Sequence, residues 1–260
     1  MTALARPVET RRSMTSQGMD LTPSRGVEGL EGLSLRRAIY PRELASAQCF
    51  RHQMLIREGF LPEGSEIRTV GPVEWQEATF VICRRAKIVA CQSVVTDSPD
   101  DVLTRQDPFG LEVVSLRRSG LRIGQLVAPA VEPGEHSRRI RTELLLTSLS
   151  HCLMLACDEA VMPVDQFQAP EFTSMGFERF GPVRVLDPAI PFPAVLLRLN
   201  LSGVLEADSP SLAPVLRTLA QRGGYLQSVE LWARQAQEMA GRWADGRRTC
   251  EAQADARVAQ

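Results

Sequence analysis

Two apolar, β-branched stretches separated by a short polar tripeptide constrain the fold of this chain most strongly. They span residues 79–83 and 87–95, with Arg84-Arg85-Ala86 between them. Runs of this composition are typical of strands, and a connection of a few polar residues joins antiparallel neighbours. The sequence therefore predicts a β-hairpin, and with it a sheet that is at least partly antiparallel.

The stretches around this hairpin alternate between strand and helix patterns. A strand is predicted over 34–39, followed by a helix over 41–58 that starts at Pro41 and stops at Gly59. A strand over 121–131 is interrupted by Ala128-Pro129-Ala130, and Ser137 is the predicted N-cap of a long apolar helix reaching about residue 157. Further predicted elements are a strand over 161–164, a short helix over 170–175, and strands over 177–185 and 192–201. The order predicts a mixed α/β fold with antiparallel hairpins and one crossover helix.

Changes in composition divide the 260 residues into three parts. Residues 1–32 are predicted to be a flexible N-terminal arm, 33–203 the α/β domain, and 204–260 a helical extension. The second helix of this extension carries one apolar stripe: Leu226, Val229, Trp232, Ala236, Met239 and Trp243. Three alternatives are open for this stripe: it packs on the domain, it forms a homodimer contact, or it covers the functional site as a lid.

The composition excludes several functional classes. The net charge is −1 and no apolar run is long enough to span a membrane, so neither nucleic acid nor a membrane span is expected. The six cysteines and three histidines are scattered, so no metal site is predicted. We expect a cytoplasmic protein with free thiols and without a secretory signal. Only Lys87 among the 30 basic residues is lysine, which reflects either codon usage or anion recognition by guanidinium groups.

Three features of the sequence carry candidate chemistry. Arg51 lies on the apolar stripe of the first helix, where a guanidinium needs a carboxylate partner from the chain or from a substrate. Arg138, Arg139 and Arg141 crowd the first turn of the helix beginning at Ser137, where they oppose the helix dipole unless an anion binds there. The break at Pro129 predicts a bulged strand whose backbone groups are free to bind an extended ligand.

The order of these elements resembles the GNAT N-acyltransferase fold, a mixed, mostly antiparallel sheet with splayed central strands. The closer likeness is to the bacterial N-acyl amino acid synthases related to acyl-homoserine lactone synthases. Four stretches carry the resemblance: Phe50-Arg51 to Gly59-Phe60, Phe109 to Glu112 with Leu116 to Gly120, Pro170 to Pro182, and Pro193 to Leu199.

The resemblance implies an activity and a partner. The implied function is transfer of a long acyl chain to the amine of an amino acid or a similar small molecule. The donor substrate is acyl-carrier protein or acyl-CoA, and no bound cofactor is implied. The alternative is a degenerate member of the same fold that binds carrier protein, acyl chains or a partner protein.

The resemblance also assigns candidate site residues, with departures from the family pattern. Gln125 stands where the family has an acid that assists amine deprotonation, and Phe172 where many acetyltransferases place a tyrosine acid. Arg51, Val127 and Ala128 are implied substrate contacts, although the last two replace a serine and an arginine. The implied phosphopantetheine site comprises Ser137, Arg138, Arg139 and Arg141. This segment lacks the glycines of CoA-dependent relatives, which favours a carrier-protein donor that meets the arginines through its acidic surface.

Overall fold

The structure is a computed structural model. It describes residues 24–27, 29–65, 77–96, 109–127, 129–187, 190–201, 213–221, 226–235 and 237–238. These residues form one ten-stranded sheet with helices on both faces.

The sheet is antiparallel except at one central pair. Its strands are β1 (Arg25–Gly26), β2 (Leu33–Ala38), β3 (Glu77–Arg84), β4 (Lys87–Thr96), β5 (Ile123–Leu126), β6 (Ala130–Val131), β7 (Glu159–Asp165), β8 (Glu178–Arg179), β9 (Arg184–Asp187) and β10 (Ile190–Asn200). The order is β1-β2-β3-β4-β5-β7-β10-β8, with β6 beside β4 and β9 beside β10. Among the described strands, only β5 and β7 run parallel, because α3 crosses over between them. The predicted hairpin is confirmed as β3 and β4.

The helices cover the two faces unequally. They are α1 (Pro41–Arg57), α2 (Gly110–Arg118), α3 (Ser137–Met154), α4 (Ala169–Thr173) and α5 (Pro214–Gln221), followed by helix α6 over residues 226–235. Helix α3 packs with α5 and α6 on one face, where its leucines meet Phe80, Leu126 and Trp232. Helices α1 and α2 lie on the opposite face, each over its own apolar cluster.

The predicted break in the central strand is confirmed as a bulge between β5 and β6. Val94 pairs with Leu126 and Cys91 pairs with Ala130, so two residues of β4 face the three residues 127–129. Pro129 supplies no backbone donor to the ladder at this point. Pairing of β5 with β7 ends at Gln125 and Val161, and β6 continues along β4 instead. A cleft therefore opens between the bulge and the second half of β7.

The structure revises several predicted boundaries. Arg25–Gly26 pairs with β2, and Val27 and Leu30 are buried in the main core, so the sheet begins within the residues assigned to the arm. The helix α2 was not predicted, since its nine residues carry only a short apolar period. The prediction that Ser137 caps α3 is wrong, because His136 holds the N-cap position and no side chain caps the helix.

The C-terminal helices pack on the domain through part of the predicted stripe. Val229 and Trp232 are buried in the main core, and Trp232 lies against Phe80 with 6.0 Å between ring centroids. Leu226 is 50% exposed and does not share this contact. Ala236, Met239 and Trp243 lie outside the described residues. Among the described helices, none has the length and apolarity to cross a bilayer.

His151 makes the stability of this core dependent on pH. Its ring lies edge-on to Phe80 at 5.6 Å, and burial followed by the charge of Arg37 lowers its pKa from 6.5 to about 3. Between those values the unfolded chain binds a proton that the folded chain does not, so the free energy of unfolding decreases as the pH falls. Its full contribution is present above pH 6.5.

Between pH 7.5 and about pH 5.5, we expect the free energy of unfolding to decrease by about 1.4 kcal/mol more in the wild type than in His151→Gln. Urea unfolding at the two pH values measures this difference. His136→Gln, which replaces an exposed histidine at the start of α3, is the matched control. Identical pH dependence in all three proteins would show that His151 takes up a proton in the folded state.

Candidate active site

Arg51 extends from α1 to the central strand β4. Its Nη2 donates to Ser93 Oγ at 2.8 Å, and Ser93 Oγ lies 2.8 Å from Thr79 Oγ1. The guanidinium also contacts the Cys91 thiol, whose pKa is raised by burial against the opposing effect of Arg51. Two strands therefore fix the guanidinium through neutral groups.

The charge of Arg51 is not neutralised within the described part of the chain. No described carboxylate lies within 4.0 Å of its guanidinium, and Nε is buried without a hydrogen-bond partner. A half-buried guanidinium in this state is set up to receive an anion. Of the two alternatives drawn from the sequence, a carboxylate of the chain is therefore not found among the described residues.

Gln125 lies on the same face of the sheet as Arg51. Ser93 and Val95 are two residues apart on β4 and so share a face, and Val95 pairs directly with Gln125. Gln125 is also the last residue of β5 that pairs with β7, which places it at the closed end of the cleft. The structure thus brings Arg51 and Gln125 to one side of the break.

Val127 occupies the first position of the bulge, with both backbone groups engaged. Its N–H donates to Ser93 O at 2.9 Å, and its carbonyl accepts from Gln92 Nε2 at 3.0 Å. This differs from the expectation that the break leaves its backbone groups free. Ala128, the other implied substrate contact, lies outside the described residues.

The arginines at the start of α3 are held by other groups of the chain. Arg141 Nη1 lies 2.7 Å from Glu171 Oε2, and Arg138 Nε lies 4.0 Å from Glu171 Oε1. Arg139 Nη1 lies 3.4 Å from the carbonyl of Gly29. Their predicted convergence on one anion is therefore not present, because Glu171 already neutralises Arg141. Arg138 remains 79% exposed, and Ser137 N–H donates to Gly134 O at 3.1 Å.

Charged groups of both signs surround the mouth of the cleft. Helix α3 follows β6 and α4 follows β7, so the Arg141–Glu171 pair joins the two sides. Partial burial raises the pKa of Glu58 at the end of α1, where Arg141 opposes and Asp165 reinforces the shift. A donor entering here meets a mixed surface rather than a purely basic one.

Phe172 lies in the core rather than at the cleft. It is fully buried, with its ring edge-on to Phe177 at a centroid distance of 6.2 Å. A phenyl ring has no proton to donate, and this ring packs α4 onto the sheet. The residue thus supports the position of α4, which carries Glu171.

Sequence reasoning missed Glu159, the first residue of β7. It pairs with Ile123, two residues before Gln125, and so lies on the same face as Gln125. Burial raises its pKa, while Arg198 acts in the opposite direction, and its Oε2 has no hydrogen-bond partner. Only the register of β5 with β7 reveals this carboxyl, since its sequence neighbourhood carries no motif. No metal-binding cluster of histidine, cysteine or carboxylate side chains occurs in the described part of the chain.

The profile of one protein family matches residues 46–200, from α1 to the end of β10. That family is described as N-acyl amino acid synthase FeeM. The match covers more than half of the chain and includes Arg51, the bulge and α3. This chain belongs to the N-acyl amino acid synthase FeeM family. Its general chemistry is N-acyl transfer.

One solved structure agrees with this assignment at the level of the fold. The structure of FeeM, an N-acyl amino acid synthase from uncultured soil microbes, matches with a TM-score of 0.56 and 16% identity, covering 65% of this chain and 90% of that chain. Escherichia coli ElaA matches with a TM-score of 0.47 and 12% identity over 64% and 98% of the two chains. An N-acetyltransferase from Staphylococcus aureus Mu50 matches with a TM-score of 0.45 and 9% identity over 65% and 98%. No curated protein matches the chain.

Proposed function

We propose that this FeeM family member transfers a long acyl chain from acyl-carrier protein, or from acyl-CoA, to the amine of an amino acid. The observation that carries the proposal is the half-buried Arg51, whose guanidinium is held by Ser93 without a described carboxylate in reach. A substrate carboxylate bound there would place the attached amine beside the bulge and Gln125. The expected acceptor is therefore a small molecule that carries both an amine and a carboxylate.

The proposed donor route is the cleft between the bulge and β7. An extended phosphopantetheine arm can lie along backbone that is not paired across the sheet, as β7 is beyond Val161 on its β5 side. At its mouth, Arg138 and Arg139 are exposed and face the acidic surface expected of a carrier protein. Residues 137–142 at the start of α3 contain no glycine, which also supports a carrier protein over CoA. With this donor, we propose a cytoplasmic location for the protein.

The proposed catalysis relies on position rather than on an acid at residue 125. The Gln125 amide cannot take the proton of the acceptor ammonium. The ammonium must therefore lose this proton to solvent or to another base before the free amine attacks the thioester. Holding the amine next to the thioester still accelerates the attack. The tetrahedral intermediate then expels the thiol of the phosphopantetheine and leaves an amide.

A catalytically degenerate protein that binds carrier protein or acyl chains is the second candidate. The loss of the acid at Gln125 and the burial of Phe172 favour it. This candidate predicts that the donor binds and that no N-acyl product forms. The first candidate predicts that a product forms.

We expect the wild type to form N-acyl amino acids when expressed in bacteria, and Gln125→Glu to raise the turnover about tenfold or more. The reason is that a carboxylate at this position supplies the general base that Gln125 lacks. Mass spectrometry of extracted lipids detects the products, and assays with purified acyl-carrier protein give the turnover. Gln53→Glu, which adds the same charge on the exposed side of α1, is the control.

Each remaining outcome of this experiment has a separate meaning. Product from Gln125→Glu alone would show a site that has lost its base and would favour the second candidate. Carrier binding without product from any variant would overturn the proposed transfer. An unchanged turnover in Gln125→Glu beside an active wild type would show that residue 125 does not contact the acceptor amine.

A further inference from the structure

Gln92 is a fully buried amide at the centre of the sheet, opposite the bulge. It lies on β4 and pairs with Phe80, so its side chain faces α3 rather than Arg51. A buried primary amide has to satisfy its donors and its acceptor inside the protein, and each unsatisfied group costs stability. The partners of Gln92 therefore show what this costly residue holds in place.

Those partners lie on three different elements around the cleft. Gln92 Nε2 donates to the carbonyl of Val127 at 3.0 Å and lies 3.9 Å from Met162 Sδ on β7. Gln92 Oε1 accepts from Ser148 Oγ of α3 at 3.0 Å. One side chain thus joins the bulge on one side of the cleft, β7 on the other, and the helix beneath both.

The contact to Val127 replaces a hydrogen bond that the ladder cannot make at the bulge. Two residues of β4 face residues 127–129, so one residue of the longer strand has no main-chain partner opposite it. Pro129 lacks the N–H that would help to restore the pairing. The Gln92 amide supplies a donor from the side chain, and Ser93 O takes the Val127 N–H at 2.9 Å.

We infer that Gln92 is a positioning residue for acyl transfer, which fixes the Val127 carbonyl at the edge of the cleft. Its contact with Met162 on β7 holds the two sides of the cleft in a fixed relation to each other. The proposed donor arm lies between these two sides, so Gln92 keeps the thioester next to the acceptor amine. This role rests on the proposed function, whereas the anchoring of the bulge by Gln92 does not.

The decisive variant is Gln92→Met, which keeps the approximate volume and removes the hydrogen bonds to Val127 and Ser148. We expect amide exchange in the segment from residue 127 to residue 131 to become about tenfold faster, as measured by hydrogen–deuterium exchange. In the acyl-transfer assay we expect kcat to fall about 10-fold to 100-fold, with KM for the donor within about twofold of the wild type.

Two further variants separate positioning from stability. Ser148→Ala removes only the hydrogen bond from Ser148 to Gln92 and keeps the one from Gln92 to Val127. We therefore expect amide exchange and kcat close to those of the wild type. Gln92→Met alone leaves the buried Ser148 hydroxyl without its partner, and the double variant Gln92→Met/Ser148→Ala removes that hydroxyl as well. We therefore expect the double variant to recover stability without recovering kcat.

The results distinguish this inference from the proposed function. Exchange at residues 127–131 that is equal in Gln92→Met and Ser148→Ala would overturn the anchoring of the bulge, whatever the activity. Faster exchange with an unchanged kcat would overturn the positioning role. A wild type without acyl transfer would refute the proposed function, and the exchange measurement would still decide whether Gln92 holds the bulge.

Discussion

Replacing Arg51 by methionine should reduce kcat/KM for an amino acid acceptor by about 100-fold to 1,000-fold, which corresponds to the loss of a charge-assisted, bidentate carboxylate contact. The same variant should retain its activity, within about threefold, toward the corresponding amino acid amide, because that acceptor has no carboxylate to bind. KM for the acyl donor should not change. Steady-state kinetics with the two matched acceptors measures the effect.

The surroundings of Arg51 make this comparison interpretable. Ser93 and Thr79 hydrogen bond to each other at 2.8 Å, so both hydroxyl groups keep a partner after the guanidinium is removed. Arg42→Met, at an exposed position near the start of α1, removes an arginine from the same helix and should leave both acceptors unaffected. An equal loss toward the acid and the amide would contradict carboxylate binding and assign Arg51 a structural role through Ser93.

Local patterns in the sequence were sufficient for the elements that position the site. Pro129 alone predicts an irregular strand, and the structure has a bulge at that point. The hairpin of β3 and β4 and the extent of α1 follow from runs of apolar residues with the period of each structure. The sequence left open which carboxylate pairs with Arg51. Its position on the helical stripe is the same whether the partner comes from the chain or from a substrate.

Contacts between distant residues account for what the sequence could not predict. Arg141 appeared available for an anion because Glu171, 30 residues later, shows no sign of its approach until α4 packs beside α3. Gln92 is a polar residue within a largely apolar stretch of the sequence, and its role depends on Val127, Met162 and Ser148 meeting around it. The shared face of Glu159 and Gln125 likewise depends on strand register, which no local pattern specifies.

Gly124→Ala should destabilise the fold by about 2–3 kcal/mol, although alanine suits a strand no worse than glycine. Gly124 precedes Gln125 on β5 and faces α3. A Cβ at this position would lie 2.4 Å from Cys152 Sγ and 3.3 Å from Cys152 Cβ. Cys152 is completely buried, so its thiol has no open space to move into, and either β5 or α3 has to shift. Urea unfolding of the purified variant measures the loss.

A second substitution tests whether the contact itself is the cause. Cys152→Ala removes the sulfur that a Cβ on Gly124 would meet, so Gly124→Ala/Cys152→Ala should be about as stable as Cys152→Ala alone. Gly134→Ala is the control, because no atom lies within 4 Å of its added Cβ. Additive losses in the double variant would contradict the steric account. Since a shift of β5 also moves Gln125 against β7, Gly124→Ala should lose acyl transfer together with stability, and the double variant should regain acyl transfer.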